Sequence, residues 1–231
     1  MGKPKAIFCW SGGKDSAYAL HQAMVENRFE IIALLTTLNE RHRRISMHGV
    51  REELLDQQAE AIGLRLEKVW VKEGTNLEYE RAMQEKLLSL KMEGVSHVLF
   101  GDIFLEDLRT YREDNLKRAG LEGVFPIWKR DTAALVLEFL KEGFETITCC
   151  VSSQFLDEGF LGRIIDEQFL LQLPGSVDPC GENGEFHSFC YKGPVFKKGI
   201  RFSTGEKIFK PVTELGVNGD HGFWFIDLIP T

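Results

Sequence analysis

The sequence predicts an α/β protein: a doubly wound parallel sheet of five strands, followed by a smaller, mainly β C-terminal region. Three observations predict it. Short apolar runs suited to buried strands alternate with stretches of helical periodicity through the first two thirds of the chain, the βαβ pattern of a parallel sheet. The first of these runs passes directly into a glycine pair that opens a helix, a position where open α/β sheets carry ligand loops. The pattern changes after about residue 155, and from Pro174 onward the text is glycine-rich and hairpin-like, as antiparallel strands require.

The elements follow in order. Lys5 to Trp10 is a buried strand, and Lys14 to Glu26 a helix with Ala17, Leu20, Ala23 and Met24 at helical spacing. Ile31 to Leu38 is the second strand. Val50 to Ile62 is an amphipathic helix with Gly63 as its C-cap. Leu66 to Val71 is the third strand, Leu77 to Met92 the third helix, and His97 to Gly101 the fourth strand. Arg112 to Arg118 and Ala133 to Glu142 are helical, and Thr146 to Val151 supplies the fifth strand. Leu161 to Leu171 fits one helix. From Pro174 onward, Asn183-Gly184, Lys192-Gly193-Pro194, Thr204-Gly205 and Asn218-Gly219 punctuate short alternating runs. This last region is expected to pack on the edge or mouth of the main sheet.

Composition narrows the function classes. The 231 residues are 43% hydrophobic and 27% charged, an ordinary globular balance that excludes disordered and low-complexity chains. Acidic residues outnumber basic ones, 35 to 28, for a net charge of −7. That balance argues against a general affinity for nucleic acid phosphates. No apolar run approaches the ~18 to 20 residues of a membrane-spanning helix. The first ten residues show no secretory pattern. The five cysteines have no framework spacing, and Cys149-Cys150 reads as a pair of buried thiols. A cytoplasmic protein without membrane partners is the expectation.

The chemistry is expected in Ser11-Gly12-Gly13-Lys14-Asp15-Ser16. Gly12 and Gly13 let the backbone turn so that successive amides face one anion, and the helix start adds its own free N–H groups. Ser11 and Ser16 bring hydroxyls and Lys14 a cation, so a phosphate group is the natural guest. The plain alternative is a strand-to-helix turn capped by Ser or Asp. The common triphosphatase loop does not fit, because Asp15 stands where Ser or Thr would follow the lysine and no glycine lies five residues before Gly13. The dinucleotide fingerprint is also missing here.

Ser-Gly-Gly-x-Asp-Ser resembles the signature of the N-type ATP pyrophosphatases. Three further strings resemble the diphthine–ammonia ligase family along nearly the whole chain. They are Ser46-Met47-His48-Gly49-Val50, Gly101-Asp102-Ile103, and Asp178-Pro179-Cys180-Gly181-Glu182-Asn183-Gly184-Glu185-Phe186-His187. The resemblance implies a HUP/Rossmann-like fold, with residues 1–155 as the ATP-binding pyrophosphatase domain and 156–231 as the acceptor region. It implies ATP and Mg²⁺ as the cofactors. An acceptor carboxylate is adenylated with loss of pyrophosphate and then amidated by ammonium; in this family the acceptor is diphthine, a modified protein histidine. Two departures bear on the acceptor. Eukaryotic and archaeal members tend to read Gly-Glu-Gly-Gly-Glu-Tyr/Phe-Glu-Thr where this chain has Gly181 to Ser188, and Gly-Ala-Ile where it has Gly101-Asp102-Ile103. The chain is more similar to a bacterial-like branch, and another carboxylate acceptor stays open.

The site residues implied are these. Ser11, Gly12, Gly13, Lys14, Asp15, Ser16, Thr36 and Gly101 bind ATP, with Thr36 at the end of the second strand near adenine. Asp15 and Asp102 hold the metal, and both count as catalytic with Glu182 and Glu185, carboxylates suited to receiving protons from an attacking amine. His48, Asn183 and His187 face the acceptor. Plain alternatives stand beside several of these: a solvated turn at Asp102, a structural histidine at His48, and a type I′ hairpin turn at Asn183-Gly184. The basic run Arg41-His42-Arg43-Arg44 is a phosphate clamp or a solvated loop. Cys180, Cys190 and His187 match no zinc pattern. Two competing functions share the fold: a nucleotide-sensing module without turnover, and a tRNA-modifying pyrophosphatase. The acidic balance and the apolar Cys149-Cys150 pair argue against the second. The oligomeric state is left open, a homo-oligomer included.

Overall fold

A computed structural model describes residues 2–45, 48–72, 76–215 and 221–231. Ser46-Met47 and the Asn218-Gly219 turn expected above lie outside the described residues. The elements in chain order are β1 (Lys5–Cys9), α1 (Lys14–Glu26), β2 (Glu30–Asn39), β3 (Arg44–Ile45), α2 (Glu52–Ile62), β4 (Arg65–Val71), α3 (Asn76–Met92) and β5 (Val95–Leu99). They continue as α4 (Glu106–Ala119), β6 (Glu122–Val124), α5 (Thr132–Lys141), β7 (Glu145–Ser152), α6 (Glu167–Gln172), β8 (Phe186–Lys192), β9 (Phe202–Pro211) and β10 (Gly222–Pro230).

The main sheet is parallel in the order β4-β2-β1-β5-β6. Leu38 and Asn39 of β2 carry β4 on one edge and the short antiparallel β3 on the other, beyond the point where β1 ends. Side chains alternate along β1, as the period of a strand demands. Ala6 and Phe8 enter one core with Leu20 of α1 and Leu54 of α2, whereas Ile7 enters the opposite core with Leu90 of α3 and Leu116 of α4. Helices therefore cover both faces, and the sheet is doubly wound. Gly63 closes α2 at φ 86°, a conformation that costs glycine little.

The second sheet is antiparallel, in the order β8-β7-β10-β9. Here the structure corrects the sequence reading. The strand at Glu145–Ser152, expected as the fifth of the parallel sheet, pairs with β8 and β10 instead. The edge of β5 is taken by β6, three residues long. The reason is plain in the burial. Thr146 to Ser152 are all buried, so no polar face marks which sheet the strand joins, and Glu-Gly-Val is too short to show a period.

The helix expected over Leu161 to Leu171 is also shorter. Gly162 N–H and Ile165 N–H donate to the Thr148 and Thr146 carbonyls at 2.9 and 3.0 Å, which holds this stretch extended along β7. The helix starts only at Glu167, where the Asp166 carboxylate caps Phe169 N–H at 2.8 Å. Thr204-Gly205 is not a turn but lies inside β9, at a register shift opposite Asp227.

Candidate active site

The Ser11–Ser16 loop sits between β1 and α1, at the C-terminal edge of the parallel sheet. Its hydroxyls cross-brace it. Ser11 Oγ and Ser16 Oγ are 2.7 Å apart, Ser11 N–H donates to Ser16 Oγ at 3.2 Å, and Gly13 N–H donates to Ser11 Oγ at 3.3 Å. Gly13 is tightly enclosed: a Cβ there would stand 3.0 Å from the Ser188 carbonyl oxygen and 3.2 Å from His48 Nε2, so one of them would have to shift. At Gly101, a Cβ would meet the Asp15 carbonyl and Ser16 N at 3.0 Å. A larger residue here would have to push the end of β5 away from the first turn of α1 by a few tenths of an ångström.

The loop is held from two further directions. Gln58 of α2 is fully buried. Its amide donates to Gly12 O at 3.0 Å and to Cys190 O at 2.6 Å, and its oxygen accepts from Trp10 Nε1 at 2.9 Å. Strand β8 meets the loop through Cys190 N–H to Gly12 O at 2.9 Å and Lys14 N–H to Ser188 Oγ at 3.1 Å.

A cleft of about 500 Å³ opens over this edge. On its floor the Lys14 ammonium pairs with Asp15 Oδ1. Burial opposes that charge, but the Asp15 carboxylate and the Cys180 thiol carry the Lys14 pKa above its usual range. On the β5 side, Asp102 and Arg112 form an ion pair at 2.7 Å, and the guanidinium lies 4.5 Å from the Phe100 ring centroid. Glu182 reaches in from the C-terminal region. Its Oε1 accepts from Ile103 N–H at 2.7 Å and Phe104 N–H at 3.3 Å. Burial, then the nearby Asp15 charge, pushes the Glu182 carboxyl up to about 7, against the pull of those two amides.

On the β2 side, the rings of His48 and His187 are 4.6 Å apart. Burial holds the His187 imidazole down at about 4, and burial with the neighbouring His187 puts His48 well below its ordinary value. Both rings are therefore uncharged at neutral pH. Thr36 lines the cleft at 2% exposure, and among the described residues its hydroxyl has no hydrogen-bond partner.

The cleft thus gathers Ser11, Gly13 to Ser16, Thr36, His48, Gly101, Asp102, Glu182 and His187, with Gly12 in the turn behind them. It does not gather Asn183 or Glu185. Glu185 is 1% exposed, and its carboxylate is turned into its own loop. There it accepts from Asp178 N–H at 3.0 Å and from the Asn183 backbone and side-chain amides at 2.9 and 3.0 Å. The basic run is spent elsewhere: Arg43 pairs with Glu52 at 2.5 Å and Arg44 with Asp227 at 2.8 Å.

Sequence reasoning passed over Ser188, Gln58, Arg112 and Cys180. Gln58 left a signal, a polar residue on the apolar stripe of Leu54, Leu55, Ala59 and Ile62. Arg112 left none. Among the described residues, no three His, Cys, Asp or Glu side chains gather as a metal cage, and no helix is long and apolar enough to cross a membrane. All five cysteines are free thiols, with Cys149 and Cys150 buried.

Residues 4–123 match the model of the Diphthamide synthase N-terminal domain, and residues 131–217 that of the Diphthamide synthase C-terminal domain. The chain is similar to the diphthine–ammonia ligase of Rattus norvegicus, 29% identical over 241 residues, covering 91% of this chain and 90% of that protein. To the diphthine–ammonia ligase of Homo sapiens it is 27% identical over 237 residues, covering 89% and 87%. A solved U34-tRNA thiolase from Methanococcus maripaludis overlaps 61% of this chain and 58% of its own at 16% identity, with a TM-score of 0.37, too loose a likeness to carry an argument.

Proposed function

The chain belongs to the diphthamide synthase family, and from that premise we propose that it is an ATP-dependent ligase that joins ammonium to a carboxylate as an amide. The single observation that supports this most is the meeting of Lys14 and Asp15, from the first loop, with Glu182, from the C-terminal region, in one cleft. A nucleotide sensor needs the loop alone. An amide-forming enzyme needs a proton acceptor beside it.

The geometry supports the following roles. The loop amides, Ser11, Ser16 and Lys14 hold the β- and γ-phosphates, and Thr36 lies on the nucleoside side. An acceptor carboxylate oxygen attacks the α-phosphorus, the bond to the pyrophosphate oxygen breaks, and an acyl-adenylate forms. Ammonia then attacks the acyl carbon and AMP leaves. The proton shed by the nitrogen passes to Glu182, whose pKa near 7 suits a base working at neutral pH. Arg112, steadied by Asp102 on the cleft wall, would offset negative charge growing at the α-phosphate.

Magnesium fits as an ion carried in on the phosphates, since it ordinarily takes one or two carboxylates plus phosphate oxygens. Asp15 gives only Oδ1 to Lys14 and is the fitting protein ligand, whereas both Asp102 oxygens face Arg112. When bound, the ion would offset phosphate charge. His48 and His187 form an uncharged wall on the acceptor side. The relatives' names make diphthine the first acceptor to try.

The test is incubation with ATP, ¹⁵N-ammonium and a diphthine-bearing protein, with other carboxylates from cell extract in parallel. The expected result is ¹⁵N in an amide, with AMP and pyrophosphate in equal amounts. Release of ADP and phosphate would overturn the α-phosphate chemistry.

A further inference from the structure

A helix start leaves its first N–H groups without intrahelical acceptors, and a side-chain oxygen at the N-cap ordinarily takes one of them. In α1 that position is Gly13, which has no side chain to offer. The first amide of the helix, Lys14 N–H, donates instead to Ser188 Oγ at 3.1 Å, a hydroxyl 174 residues away on β8.

Ser188 is 5% exposed and lines the cleft beside Gly13 and Asp15. Its oxygen is engaged as an acceptor, and among the described residues no protein group takes its hydrogen. A hydroxyl so placed has a donor left to give. Its position is held by the strand, because two residues on, Cys190 N–H donates to Gly12 O and the Gln58 amide donates to the carbonyls of both Gly12 and Cys190, tying β8 to the loop.

We propose that Ser188 is a phosphate-binding residue carried to the loop by the C-terminal sheet. Its hydroxyl accepts from Lys14 N–H and donates to an oxygen of the nucleotide's pyrophosphate moiety. This deepens the ligase reading above and rests on it. Amide, hydroxyl and anion then form a chain in which each hydrogen bond polarises the next, and the bond to the charged oxygen is of the stronger class. The loop belongs to the parallel sheet and Ser188 to the antiparallel one, so the bound anion bridges the seam between them.

The test uses inorganic pyrophosphate with magnesium, titrated calorimetrically into the full chain as wild type, Ser188→Ala and Ser188→Thr. Thermal unfolding is followed with and without the anion. The alanine variant is expected to bind about 10- to 100-fold more weakly, the range of one charge-assisted hydrogen bond. The threonine variant, which keeps the hydroxyl, binds close to wild type. Pyrophosphate raises the unfolding temperature of wild type and the threonine variant more than that of the alanine variant at equal concentration. An alanine variant that binds like wild type overturns the inference, even if its anion-free unfolding temperature has fallen, since that pattern belongs to a helix cap alone. A threonine variant as weak as alanine also overturns it. A wild type that binds no pyrophosphate overturns the phosphate-loop reading and this inference with it.

Discussion

Arg51 and Asp227, 176 residues apart, meet in a two-pronged ion pair, Nε to Oδ1 at 3.0 Å and Nη2 to Oδ2 at 2.6 Å. Arg44 joins them at 2.8 Å. The cluster pins β10, the last strand of the antiparallel sheet, to the start of α2 on the parallel one. Arg51 first, and Arg44 with it, hold the Asp227 carboxyl down at about 2 against its partial burial. A carboxyl depressed in the folded state adds stability that is fully present above its unfolded pKa of about 4 and is lost as pH falls toward 2. Asp227→Asn should therefore cost on the order of 2 kcal/mol at pH 7, less whatever solvent screening removes. Urea unfolding should show the gap between variant and wild type closing between about pH 4 and pH 2. A gap that stays constant with pH would sink this account.

Gln58→Leu removes an amide that serves Trp10, Gly12 and Cys190 at once. Each buried group left unpaired costs about 1 to 3 kcal/mol, so a loss of at least 2 kcal/mol is expected. Pyrophosphate affinity should fall as well, because the Gly12 carbonyl loses one of its two hydrogen bonds. Urea unfolding and calorimetry measure the two effects separately, and a variant as stable as wild type would remove Gln58 from the loop's support.

Glu182→Gln should leave nucleotide binding nearly intact and slow amide formation by about 10²- to 10⁴-fold. At a fixed concentration of unprotonated ammonia, the wild-type rate should rise with pH to a plateau above about 7, because the base must be deprotonated. The glutamine variant should lack that rise. A variant with the wild-type pH profile would assign the base elsewhere.

Glu185→Gln tests a different kind of carboxylate. Three donors converge on Glu185, and an amide side chain turns its NH₂ toward at least one of them. A loss of about 1 to 3 kcal/mol is expected, with a lower rate through a displaced Glu182 and no change in the pH profile. An unchanged unfolding midpoint with a lost alkaline plateau would instead make Glu185 the base.

The alternation of apolar runs and helical stretches made the doubly wound sheet legible, because each element's burial is written in its own periodicity. Ser11 to Ser16 were legible for the same kind of reason. A glycine turn opening a helix is a local property of the backbone, and that is why an anion site was expected there. Less of the site was legible where one residue type serves several ends. Glu182 and Glu185 stand three positions apart in one string, yet one faces the cleft and the other its own loop.

The sequence by itself determined the layered α/β architecture, the glycine loop between β1 and α1 and the family resemblance, since these reside in short stretches of chain. Only the tertiary structure decided that β7 joins the antiparallel sheet, that Arg112 claims Asp102, and that Ser188 and Gln58 hold the loop. The physical reason is range. A hydrogen bond acts over ~3 Å, and the donors and acceptors that settle these roles come from elements brought together only when the two sheets pack.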